Sequence, residues 1–152
     1  MSTIVTPYLT KLDSIELELP NIARQTVIDN QEEIKDLLKY KQLALGKGSD
    51  GESLGVYSQF TQSYADRDGL SIPKTKGQPY NFQWSSDTFN SMGLFATKKG
   101  EFDIFSIDGK KDLLESIYGE IFDLTEEHNQ YVNIEIILPT LQQYILDNLT
   151  LI

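Results

Sequence analysis

The spacing of apolar residues changes twice along this chain, and that change limits the fold more than any single motif does. Between residues 42 and 107 apolar and polar residues alternate in short runs broken by Gly, Pro and Asp, the two-residue period of strands. Before and after that block, apolar side chains recur every three or four residues, as on an amphipathic helix. Strands in one block flanked by helices predict an α+β fold: a small antiparallel sheet of four or five strands packed by an N-terminal helix and two C-terminal helices. The length, 152 residues, suits a single domain over 1–152 that buries about two-thirds of its unfolded surface.

The first helix is expected over 21–38, with Ile22, Val27, Ile34, Leu37 and Leu38 on one side and Pro20 near its start. Ahead of it, Ile15, Leu17 and Leu19 alternate like an edge strand, so residues 1–19 are read as an extended arm that contacts a partner. Residues 42–58 read as two short strands around an Asp50-Gly51 turn. The same stretch holds Ser49, Asp50, Glu52 and Ser53, but without the alternating oxygen ligands and flanking helices of a calcium-binding loop.

Residues 60–65 fit a short helix or strand. They lead into 66–79, a run with two prolines, two glycines and alternating charge that reads as a long loop. Loops of that length tend to bind, so Asp66, Arg67, Asp68, Leu70, Ile72, Lys74 and Lys76 are the partner-contact candidates. Tyr80, Phe82 and Trp84 then alternate on one face of an expected strand; a stacking platform is one reading of such a stripe, and core packing is the commoner one. A short helix follows, capped by Ser85 or Ser86 and carrying Phe89 and Met92.

A hairpin is expected from runs 93–97 and 101–107 joined by Lys98-Lys99-Gly100. Asp108 is placed to cap a helix over 110–122, and Thr125 to cap a last helix that reaches Leu149 and must kink or restart at Pro139. The β-branched residues of 131–138 leave a strand there as the alternative.

Catalytic chemistry finds little material. With no Cys and one His, His128, the chain has no thiolate site, no His-Cys zinc site and no two-His iron site. Asp66 and Asp68 lie in a polar loop and do not establish an acid-base pair, Gly46-Lys47-Gly48-Ser49 lacks the spacing of a phosphate loop, and no serine sits in a Gly-x-Ser-x-Gly context. The expectation is a protein that is not an enzyme, with no cofactor and no metal. No apolar run is long enough to span a bilayer and no secretory leader is evident, so a soluble protein made in the cytoplasm is expected.

The net charge of -10 is uneven: residues 1–100 carry 12 acidic and 11 basic side chains, residues 101–152 carry 11 and 2. A surface of that sign argues against sequence-specific nucleic-acid binding. It also allows an alternative function, a soluble adaptor or inhibitor docking its acidic third on a basic protein.

Taken in order, a first helix, Gln42-Leu43 and the turn from Gly46 to Ser58, Tyr64-Ala65, the run Ser85-Ser86-Asp87-Thr88-Phe89-Asn90-Ser91-Met92, and Leu114 to Thr125 followed by Leu138-Pro139 form a series of cues. This series resembles small structural virion proteins of tailed phages, including the crAss-like group, and the head–tail joining and tail-completion families; Ser86-Asp87 stands where Gly-Asp is usual. The resemblance implies a virion subunit made in the host cytoplasm and arranged as a ring of copies in the head–tail connector, or neck, or in the upper tail. It implies contact with portal, neck or tail proteins, and a lumen through which the genome passes without sticking.

Overall fold

The computed structural model describes residues 5–84 and 86–150 and is α+β. Two helices open the chain, α1 (Thr6–Asp29) and α2 (Gln31–Lys41), followed by a 3-10 turn at Leu43–Leu45 and α3 (Gln59–Asp68). One turn of helix, α4 (Asp87–Asn90), leads into the strands β1 (Met92–Ala96) and β2 (Phe102–Ser106). The chain ends with α5 (Lys111–Tyr118), α6 (Glu126–Tyr131), a π-helical segment at Val132–Ile137, and α7 (Leu138–Leu149).

α1 starts fifteen residues before its expected start at 21 and replaces the extended arm; residues 1–4 of that arm lie outside the described residues. Ile15, Leu19, Ile22 and Val27 turn inward at helical spacing, with Ile15 4% exposed, whereas Leu17, which the strand reading puts beside them, is 77% exposed. Pro20 sits inside α1 and not at its start. Its side chain lies on the exposed face, where a lost N–H bond leaves a carbonyl that water can serve. The expected single helix over 21–38 breaks at Asn30, whose side-chain amide folds back onto the Thr26 carbonyl at 2.8 Å while Thr26 Oγ1 donates to Ile22 O at 2.7 Å.

The sheet has two strands among the described residues, not four or five. Residues 42–58 form only the isolated bridges Lys47↔Ser53 and Val56↔Pro79. Their backbone groups close local turns, with Leu54 N donating to Gly46 O, and Ser49 Oγ reaches out to Glu120 O and Asp123 O at 2.8 and 2.9 Å. Residues 80–84 form no strand either, because Phe82 adopts φ +54, outside strand geometry. The hairpin itself is where expected, antiparallel with Leu94 opposite Ile104 and Phe95 opposite Asp103. Met92 belongs to β1 and not to the preceding helix, and Ser85 lies outside the described residues.

A lone two-stranded hairpin is marginal in water. Here one face, with Met92, Ala96, Ile104 and Ser106 buried, packs on α1 and α2. The turn is pinned to α1 by Arg24 Nε on Ala96 O at 3.3 Å, and Gly100, at φ +84, lies so near that a Cβ there would meet Ala23 Cβ at 2.7 Å. Val27, Ile34, Leu38, Leu43, Phe89, Ile104, Ile121, Phe122, Val132 and Ile136 form the continuous core. Each such side chain contributes about 1.5–3 kcal/mol by leaving water.

α5 is shorter than expected. Gly119 ends it, and Ile121 and Phe122 bury themselves from the non-helical stretch that follows. Asp108 does not cap α5, whose N-cap position is Lys110 with no side-chain bond; it closes the turn before it, Oδ1 accepting from Lys110 N at 3.1 Å and Oδ2 from Thr88 Oγ1 at 2.6 Å, and the Thr88 bond, then the Lys110 N–H, hold its carboxyl below the usual range. Thr125 Oγ1 accepts from His128 N at 3.3 Å and starts α6. The strand alternative over 131–138 is not what forms. The helix stays continuous and widens into π turns just before Pro139, whose absent N–H and ring would break a regular α ladder.

Gln42, fully buried at the end of α2, joins the two ends of the chain. Its Nε2 donates to Asp123 O at 2.7 Å, and its Oε1 accepts from Thr125 N at 3.1 Å and lies 3.3 Å from His128 Nδ1. Tyr131 OH donates to Glu33 Oε1 at 2.9 Å, so the C-terminal helices begin beside α2 and run back along α1. That bond to a carboxylate raises the Tyr131 hydroxyl above its ordinary pKa.

Candidate functional site

The segment between α2 and α3 and the stretch before α4 are tied together by backbone bonds: Tyr57 N donates to Gln78 O, Gly77 N to Tyr57 O, both at 2.9 Å, and Tyr80 N to Gly55 O at 3.2 Å. Those bonds set Tyr57 beside Tyr80, ring centroids 5.0 Å apart and nearly perpendicular. Gly55 makes the fit possible. It adopts φ +130, and a Cβ there would meet Tyr80 Cε2 at 2.7 Å. Tyr118 of α5 closes the group, 5.6 Å from Tyr80 and 5.3 Å from Phe82, again edge to face.

Beneath these rings lies Lys74, only 1% exposed. Its ammonium donates to Asn81 Oδ1 and to Gln83 O, the latter at 3.1 Å, and stands 5.7 Å from the centroid of the Tyr57 ring. Asn81 Oδ1 also accepts from Tyr57 OH at 3.0 Å and from Gln83 N at 3.2 Å. Tyr57 OH in turn accepts from Asn81 N at 2.9 Å. Among the described residues no carboxylate pairs with Lys74. Burial lowers its pKa, and burial likewise raises those of Tyr57 and Tyr118.

The rings, Lys74 and the start of α4 line a cavity of about 280 Å³. Trp84 stands at it, 41% exposed, with Asp87 and Lys110 also along the lining and their charged atoms 4.0 Å apart. The arrangement can hold an apolar ring between aromatic walls and present one cation to it. Among the described residues no nucleophile with an adjacent base is assembled there.

The expected contact loop divides. Asp66, Arg67 and Asp68 are not in a loop but form the exposed last turn of α3, where Ser58 caps the start and Gly69 ends the helix; Arg67 covers the Tyr64 ring at 4.2 Å. Leu70 and Ile72 are half-buried. Lys74 is the opposite of a surface contact, since Asn81 and Gln83 draw it inside. Lys76 is exposed, yet its backbone N–H is held by Gln62 Oε1 at 2.8 Å. The loop is therefore pinned to α3 and to Tyr57 along its length. Sequence reasoning picked out Tyr80 and Phe82 as packing residues but missed Tyr57 and Tyr118; the two prolines bracketing Lys74 and the Gly55-Val56-Tyr57 run were the available signals.

Two further surfaces stand out. On the first half of α1, Tyr8, Leu9, Leu12 and Leu17 are exposed, as is Leu146 of α7. On the hairpin face turned away from α1 and α2, Phe95 is 59% exposed and Phe105 lies over Gly93, with Ile107 exposed just beyond. α1 touches the hairpin turn at Ala23 and Arg24, so at about 1.5 Å per residue Leu17 to Tyr8 lie about 9–23 Å further along the helix. The two patches are distinct. His128, the one histidine, is half-buried against Gln42, and among the described residues no group of three or more His, Asp or Glu side chains is placed to hold a metal ion, nor is any helix long and apolar enough to cross a membrane.

The fold and its surfaces define an α+β protein with an aromatic cavity over a buried lysine and two separate apolar patches. No protein-family model, curated protein or solved structure matches the chain.

Proposed function

We propose that this chain is a non-catalytic structural subunit of a tailed-phage virion, one of a ring of identical copies in the head–tail connector or upper tail. The observation that carries the reading is the pair of unlike apolar patches on one small chain. A closed ring is built from heterologous contacts, in which one surface of each copy meets a different surface of the next. A monomer rarely leaves this many large apolar side chains in water without a partner.

The copies themselves are the fitting occupant. The α1 patch is flanked by Asp13, Glu16 and Glu18 against one Lys11, while at the hairpin patch Lys98 and Lys99 are balanced by Glu101 and by Asp103, which stands opposite Phe95. The hairpin patch is thus the less acidic of the two, and joining it to the α1 patch brings together fewer like charges than joining two α1 patches. The acidic balance of residues 101–152 suits a lumen along which DNA slides, and portal, neck or tail proteins would meet the ring's two rims.

The experiment uses two variants, Leu9→Glu and Phe95→Glu, with native mass spectrometry across a concentration series. Wild type is expected to form a closed ring of one size. Each variant alone is expected to stay monomeric, and the equal mixture to stop at a dimer joined by its two intact patches. A wild-type chain that remains monomeric at every concentration, with neck proteins added, overturns the proposal. A complex with a basic protein whose association rate falls steeply with salt would favour the adaptor reading instead.

A further inference from the structure

The ammonium of Lys74 is buried at the cavity with no counter-ion among the described residues. A buried ammonium without a counter-ion is disfavoured, and satisfied hydrogen bonds to neutral amides offset only part of the cost of leaving water. An ammonium has three donors, and here Asn81 Oδ1 and Gln83 O take two. Around it stand Tyr57, Tyr80, Phe82 and Tyr118, packed on one another edge to face and already shaped without a ligand.

We propose that this cavity binds a small aromatic carboxylate, its anionic head paired with the Lys74 ammonium and its ring held among the tyrosines and Phe82. The volume, about 280 Å³, lies at the lower end of small-molecule sites and suits one or two rings. Charge selects the class. Lys110 and Asp87, 4.0 Å apart along the lining and both more than half exposed, offset one another and leave the buried Lys74 as the charge that selects. A ligand cation would be repelled, and a neutral ring would leave the buried charge uncompensated. The purely architectural role of Lys74, fastening residues 81–83 to the loop, predicts no ligand selectivity at all, and that separates the two readings. The inference does not depend on assembly into a ring.

The full chain carries its own reporter, because Trp84 is its single tryptophan and stands at the cavity. Trp84 fluorescence would be titrated with benzoate, benzamide and benzylammonium, and amide shifts mapped by heteronuclear NMR. Benzoate is expected to bind saturably with shifts centred on Asn81 and Gln83, at least tenfold more tightly than benzamide, with benzylammonium not binding. Lys74→Met is expected to weaken benzoate at least tenfold and leave benzamide within twofold. Should Lys74→Met fail to fold, the wild-type series decides alone. Equal affinity for benzoate and benzamide, shifts confined to α1 and α7, or no binding of benzoate up to its solubility limit would each overturn the proposal.

Discussion

The cavity around Lys74 and the free half of α1 break the ordinary rule of burial in opposite directions. In the first, a charged side chain is sealed inside; in the second, large apolar side chains stand in water. At the cavity the polar groups are held inside by shared bonds: Asn81 Oδ1 alone gathers Lys74, Tyr57 and Gln83. α1 has no comparable lattice on its outer face, and its exposed leucines gain nothing until another surface covers them. A polar network completes a region from within, whereas an apolar stripe marks a region completed from outside.

Substitutions that separate the two regions should rank accordingly. Ile34→Ala, in the core that both share, is expected to cost about 2–5 kcal/mol in denaturant unfolding. Asn81→Ala removes the acceptor common to three donors and is expected to cost about 1–3 kcal/mol, with loss of the Trp84 environment seen by fluorescence. Thr125→Ala, which removes the α6 cap, is expected to cost about 1 kcal/mol by the same measurement. Leu9→Ser is expected to shift unfolding by less than about 0.5 kcal/mol, since Leu9 is 55% exposed, while weakening self-association.

Alkaline pH offers a finer comparison. Lys74 has a native pKa below the ordinary lysine value, so in the window between them the unfolded chain keeps a proton that the native chain has released, and this group's contribution to stability rises with pH. Tyr57 and Tyr118 act oppositely, because their raised native values mean that the unfolded chain ionises first as pH rises. The difference between wild type and Lys74→Met isolates the lysine. It should shift in favour of wild type as pH climbs through that window, and a flat difference would show that the ammonium is not desolvated.

Much of the framework was legible where local rules decide. Thr125 as a cap, the Lys98-Lys99-Gly100 turn and the alternating runs on either side of it follow from backbone chemistry within a few residues, and they form as expected. Residues 6–20 were misread because Pro20 looked like a helix start, while the Ile15, Leu19, Ile22 spacing that supports a longer helix competed with a two-residue alternation over the same leucines. The strands expected at 42–58 fail because their backbone groups close tight local turns, Lys47 N on Gln42 O, Gly51 N on Gly48 O and Leu54 N on Gly46 O, while Ser49 is anchored to Glu120 and Asp123, more than seventy residues away. The cavity was hidden for the same reason. Nothing near Lys74 in the sequence announces burial, which arises only after residues 55–57 bond to 77–80 and bring Asn81 and Gln83 to it.

Gln42 gives this architecture a direction in time. Its side chain is served by Asp123, Thr125 and His128, groups synthesised some eighty residues later. While the ribosome is still producing α3 and the hairpin, α1 and α2 have nothing to offer that amide but water, so the interior stays unsealed until the final helices emerge. A nascent chain halted before residue 123 should therefore remain open to proteases, and release of the C-terminal stretch should close it in one step.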